Sequence, residues 1–253
     1  ARLQGDPSVE PMLSPDVVYT SPLTRAIQTT VIGLGSLIAG PSGCGELVLM
    51  ANAREKQNRG GFDTRSKKRG SAILKASQEA LRALYANNDD DDRILDVFSQ
   101  LRYDVQEVQD RWWCEGASET PVQLQKRLRE FMSQLLYSPH RSIIVVGHSH
   151  FFRSVFRTYL AEEFRSVKPA VARDLAVRKL ANCGVVRVDL DPSRGLAGGP
   201  IVDACFILNS KLDPELTAPK GPAGAAWPAE AELGGTFCGP LPLCDDEPGD
   251  PVP

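Results

Sequence analysis

The sequence predicts an α/β fold, a three-layer sandwich with a mostly parallel central sheet and helices on both faces. Three observations carry this expectation. Apolar runs that read as strands alternate with stretches of helical periodicity. The run Ile143-Ile144-Val145-Val146 is apolar on both faces, as a strand inside a parallel sheet must be. The chain's 253 residues are enough to bury a core without disulfide or metal staples.

Residues 16–20 predict the first strand of this chain, ending in the turn Ser21-Pro22. Ser21 suits a helix N-cap and Pro22 the first helical position, where its missing N–H costs nothing. The helix that follows carries Ile27, Val31, Leu34 and Ile38 on one stripe. Residues 46–50 predict a strand, and 71–86 a helix. Asn87-Asn88 and the four aspartates 89–92 read as a solvated linker, since they lack EF-hand spacing. Thr120-Pro121-Val122-Gln123 has the spacing of a capping box, opening a helix with Leu124, Leu128, Phe131 and Leu135 on one face and an end near Tyr137. Residues 142–146 predict a strand, then Gly147-His148-Ser149 a turn. The next helix carries Phe151, Phe152, Val155 and Phe156. Residues 184–190 and 201–208 predict two late, antiparallel strands.

The formal charge of −3 is an average over two unlike parts. Residues 211–253 hold 2 of the 29 basic and 8 of the 32 acidic side chains, and 9 of the 19 prolines. They are expected to form an acidic, Pro/Gly-rich, disordered tail. Residues 1–210 form the α/β domain, with 27 basic and 24 acidic residues. An excess this small argues against a nucleic-acid partner. Six cysteines without a CxxC pair indicate free thiols and a reducing, cytoplasmic location. The longest uncharged stretch, 26–45, holds five glycines and a proline, so no membrane partner is expected, and nothing reads as a signal peptide.

In parallel sheets ligands bind outside the carboxyl ends of the strands. Ser21 and His148 both follow such ends, and each opens a helix whose N–H groups and dipole favour an anion. Two such openings on one sheet edge imply a phosphate site. Arg25, one turn into its helix, can hold a phosphoryl group bidentately. Arginines are mostly surface residues, so its assignment rests on the neighbouring strand end. His148 would lie beside that phosphoryl group. The rival elbow reading of Gly147-His148-Ser149-His150-Phe151 fails, because Phe151 replaces the last glycine and the histidine order is wrong. A His148-x-His150 metal pair lacks further ligands, so no metal or cofactor is expected. Residues 52–70 form a basic loop with seven positive and two negative side chains, suited to concentrating anionic substrates. Within it, Glu55 follows a strand end and can act as a general acid. Lys67-Lys68-Arg69 also has the form of a short basic localisation patch.

These motifs resemble the histidine phosphatase superfamily, the phosphoglycerate mutase-like proteins. Ser21-Pro22-Leu23-Thr24-Arg25-Ala26-Ile27-Gln28-Thr29-Thr30 looks like its second signature, and Gly147-His148-Ser149-His150-Phe151-Phe152-Arg153 like its late histidine signature. Arg54-Glu55, Trp112-Trp113 with Glu119, and Asn182-Cys183-Gly184 also fit, so the resemblance covers roughly residues 1–208. It implies phosphoryl transfer through a phosphohistidine by a phosphomonoester hydrolase or mutase. Arg25 and His148 would stabilise the transferred oxygens and Glu55 would move the proton. Ser21, Arg54 and Ser149 would complete substrate binding, with a small phosphorylated molecule or a phosphopeptide as substrate. The chain departs from the family in having no Arg-His-Gly motif and no histidine before His140. The resemblance therefore implies a first strand missing from this chain, by truncation, together with its nucleophile. The alternative is a non-catalytic phosphate-binding pseudoenzyme.

Overall fold

Four short parallel strands, β1 (Val17–Thr20), β2 (Glu46–Leu49), β3 (Arg102–Asp104) and β4 (Ile143–Val146), make the central sheet in the order β3-β2-β1-β4. This is a computed structural model, and it describes residues 9–57, 68–86 and 91–213. Parallel neighbours need long crossovers, and helices supply them. A single turn, α1 (Glu10–Leu13), precedes β1, and α2 (Thr24–Ala39) links β1 to β2. The helices α3 (Ser71–Tyr85) and α4 (Asp91–Gln100) lead to β3, and α5 (Pro121–Leu136) leads to β4.

The strand faces sort the helices into layers. Val18, Leu47 and Leu49 point to one face and pack with Ile27, Val31 and Ile38 of α2, Ile73 and Leu81 of α3, and Phe98 of α4. Ile27, Val31 and Ile38 are fully enclosed, each stabilising the fold by about 1.5–3 kcal/mol. Tyr19 and Val145 point the other way, against Leu128, Phe131 and Met132 of α5 and Phe151 and Val155 of the next helix, α6 (Ser149–Tyr159). The arrangement is the three-layer sandwich expected.

Beyond α6 the chain forms α7 (Glu162–Val167), α8 (Pro169–Val177) and an antiparallel pair, β5 (Val185–Leu190) with β6 (Ile201–Ile207). This pair is a separate sheet. It joins the body through the hydrogen bond from Ala161 N to Ile201 O, 2.9 Å, and through Val186 and Phe206, which pack on the α5–α6 core. Residues Lys211–Asp213, assigned to the tail from composition, pair instead with the body: Ala181 N donates to Lys211 O and Asp213 N to Lys179 O. The remainder of the proposed tail, and residues 58–67 of the basic loop, lie outside the described residues, as do 87–90 of the acidic linker; Asp91 and Asp92 open α4.

Two local expectations differ from the structure. The helix after Ser21-Pro22 begins at Thr24 with Leu23 as its cap, and the Ser21 hydroxyl meets both Leu23 N and His148. The apolar strand at 143–146 lies at the edge of the four-stranded sheet, not inside it, and all four residues are only half-buried. Among the described residues no strand pairs with its outer side.

Candidate functional site

The register of the sheet builds the site. Thr20 pairs with Val146 and with Leu49, so three strand ends are level. Ser21 N donates to Val146 O at 2.9 Å, and Met50 N to Thr20 O at 2.9 Å. The chain therefore leaves β1, β2 and β4 side by side, carrying Ser21, the segment 51–55 and Gly147-His148. Gly147 is needed for this approach: a Cβ there would lie 2.8 Å from the Phe152 ring and 3.3 Å from Ala53 O.

Ser21 and His148 meet. The His148 Nε2 to Ser21 Oγ distance is 2.8 Å, and both residues are buried. The hydroxyl also accepts from Leu23 N at 3.3 Å. Burial, then the positive charges of Arg25 and Arg127, push the His148 pKa down to about 3, so the imidazole is neutral at physiological pH. His148 caps α6 by position but makes no side-chain cap bond, which leaves the positive end of the helix dipole at this point.

A second group, centred on Arg127 of α5, supports the segment 51–55. Its Nε and one terminal nitrogen donate to the two oxygens of Glu119 at 2.7 and 2.5 Å. Its other terminal nitrogen donates to Asn52 O at 2.9 Å and Arg54 O at 2.8 Å. The guanidinium lies 4.4 Å over the Phe151 ring. Arg54 shares Glu119 at 3.5 Å and donates to Ala51 O at 3.1 Å, while its Nε is buried with no partner among the described residues. Burial and the nearby Arg127 lower the Arg54 pKa to about 10, and it stays protonated. Arg54 and Arg127 thus share one carboxylate, Glu119, while the charges of Arg25 and Arg127 act on a neutral His148. Such a site favours an anion.

The structure brings Ser21 and His148 together, places Arg25 where its charge acts on His148, and ties Arg54 to Arg127 through its carbonyl. Ser149 occupies the first turn of α6, half-exposed. Glu55 stands on the rim instead. Its carboxylate accepts from Lys56 N at 2.8 Å and its charge acts on His150 and Arg153. The two histidines of the His148-x-His150 pair diverge, His148 toward Ser21 and His150 Nδ1 toward Arg153. His140 lies elsewhere, lining a hollow of about 360 Å³ with Asp16, Tyr19 and Glu46.

Arg127 has no motif to announce it in the sequence. The available signal was its place on the apolar side of α5, one residue before Leu128, where an unpaired arginine would be too costly to bury. No helix among the described residues is long and apolar enough to cross a membrane. No model of a known protein family, no characterised protein and no solved structure matches the chain.

Proposed function

We propose that this chain holds the phosphate in a phosphoryl-transfer enzyme, a phosphomonoester hydrolase or mutase working through a phosphohistidine. The observation that carries the reading is the buried His148–Ser21 pair at level strand ends, with the charges of Arg25 and Arg127 acting on the imidazole. Phosphoryl transfer is mainly a matter of positioning and charge stabilisation, and these side chains supply both.

The nucleophile is a histidine absent from this chain. His148 and His150 are engaged, and His140 is elsewhere. The outer edge of β4, which no strand among the described residues pairs, supports a place for it: a strand laid parallel along that edge would end beside His148. An imidazole nitrogen carried there attacks phosphorus, and the bond to the alcohol oxygen breaks. Glu55 gives its proton to that oxygen. In the second half, Glu55 takes a proton from water, or from a second alcohol in a mutase, whose oxygen attacks phosphorus as the P–N bond breaks. Arg25 and Arg54 hold the equatorial oxygens throughout, with His148.

The same engaged histidines favour one other reading, a module that binds phosphate without turnover. Calorimetry with inorganic phosphate and an assay with p-nitrophenyl phosphate separate the outcomes. The chain alone binds phosphate and shows no turnover. Arg25→Ala and His148→Ala each weaken binding roughly tenfold or more, the value of one charge-assisted hydrogen bond. Supplying a strand that carries an Arg-His-Gly segment ahead of β1 produces turnover and an acid-labile phosphohistidine. Continued silence with phosphate still bound would support the binding module. Turnover surviving both substitutions would sink the site assignment.

A further inference from the structure

Arg54 is held from two sides. On one, Arg127 binds its carbonyl and Glu119 faces its guanidinium at 3.5 Å. On the other lies a closed ring of hydrogen bonds. Glu107, in the 3-10 turn Gln106–Val108 after β3, accepts from Ala51 N at 2.9 Å with one carboxylate oxygen. Its other oxygen accepts from Gln134 Nε2 at 2.6 Å. Gln134 Oε1 in turn accepts from Asn52 Nδ2 at 3.1 Å. Ala51 and Asn52 are consecutive, so the contacts close on themselves and join the turns after β2 and β3 to α5.

The ring has only one possible sense. A carboxylate accepts and never donates, so Gln134 must turn its NH2 toward Glu107 and its carbonyl oxygen toward Asn52. Asn52 must then answer with its own NH2. An amide at position 107 offers one acceptor oxygen to two donors, so Glu107→Gln leaves N–H groups opposed whichever way it points. Part of this arrangement is ordinary capping: Ala51 opens the 3-10 turn Ala51–Ala53, and its N–H has no partner inside that turn. One oxygen would suffice for a cap. The second oxygen and the two amides do something more, which is to fix the direction in which the turn faces. Glu107 is exposed, and Ala51, Asn52 and Gln134 are half-buried. Water can satisfy each group separately, so the ring contributes orientation more than stability.

Ala51 passes that orientation to Arg54. Its carbonyl accepts from Arg54 N at 3.4 Å and from the Arg54 guanidinium at 3.1 Å. Turning the segment at the end of β2 would carry this carbonyl, and the guanidinium with it, away from Glu119. Arg127 and Gln134 are seven residues apart, two turns along one face of α5. A single helix face therefore holds the segment at both ends. Arg54 Nε, buried and without a partner among the described residues, is the donor left for a ligand oxygen.

We propose that Glu107 and Gln134 are positioning residues of the phosphoryl site, fixing through Ala51 the point at which Arg54 meets a phosphoryl oxygen. This rests on the phosphoryl-site reading above, and the test keeps the two apart. Calorimetry with inorganic phosphate on the full chain compares Glu107→Gln, Gln134→Ala and their double variant, each also combined with Arg54→Ala. Gln134→Ala keeps a good helix former in α5. Each ring variant weakens phosphate binding about three- to tenfold, the value of one misplaced hydrogen bond. The double variant loses no more than either single one, because the ring opens once. With Arg54→Ala already in place, neither ring variant weakens binding further, a coupling that general loosening of the fold does not produce. Glu107→Gln also removes a negative charge, which alone would favour phosphate, so its loss reports position. Unchanged affinity in both ring variants, losses that persist beside Arg54→Ala, or an Arg54→Ala that costs nothing where Arg25→Ala does, overturns the positioning role alone. No phosphate binding by the unaltered chain, or binding indifferent to both Arg25→Ala and Arg54→Ala, overturns the phosphoryl reading and the positioning role with it.

Discussion

Arg127 illustrates how one buried side chain serves both stability and the site. It neutralises Glu119, satisfies two loop carbonyls and covers Phe151. Removing one partner of a buried pair leaves an uncompensated charge, so Arg127→Ala should destabilise the protein by about 3–5 kcal/mol in urea unfolding. An unchanged midpoint would show that water reaches Glu119. His148 gives a second expectation at this scale. Its folded pKa of about 3 lies below the ordinary 6.5, so the unfolded chain binds the extra proton between those values. The stabilisation is complete above pH 6.5 and is lost as pH falls toward 3, by up to about 1.4 kcal/mol per pH unit. His148→Gln should flatten that arm of the stability profile relative to wild type. Bound phosphate should also flatten it, because an adjacent anion favours the imidazolium.

At the scale of elements, α5 shows local signals agreeing with the final structure. Thr120 Oγ1 accepts from Gln123 N at 3.2 Å and the Gln123 side chain accepts from Thr120 N at 2.9 Å, completing the capping box. Thr120→Ala should cost about 1 kcal/mol in thermal unfolding. The start of α2 shows the opposite case. Ser21 has the composition of a cap, yet its hydroxyl bonds to His148, 127 residues away in sequence. The junction of β4 and α6 depends on Gly147. Gly147→Ala would force the Phe152 ring and the 51–55 segment apart, costing about 1–3 kcal/mol as overpacking does. It should weaken phosphate binding as well, since that segment carries Arg54.

For the whole molecule, the sheet edge at β4 is the feature with the widest consequence. Asp16 N bonds to Ser142 O and Ser21 N to Val146 O, so by alternation Ile144 also faces β1 while Ile143 and Val145 face outward. Hydrogen exchange should find the Ile143 and Val145 amides exposed and those of Ile144 and Val146 protected. Protection of all four would mean the edge is already paired. The edge has no proline, lysine or bulge to blunt it, which is the reason to expect a strand beside it. Much of this architecture was legible in the residues. Helical and strand periodicity reports local burial, so it placed the alternating elements, the stripe on α2 and the box on α5. The Ser-Pro and Gly-His turns were legible as strand ends because their residue types suit sharp chain reversal. Three things were decided only by tertiary structure: the level register of β1 and β4, the enclosure of Arg127 with Glu119, and the edge position of β4. Each depends on contacts between residues far apart in the chain. A pattern within a segment records how strongly that segment must be buried, and does not record which partner buries it.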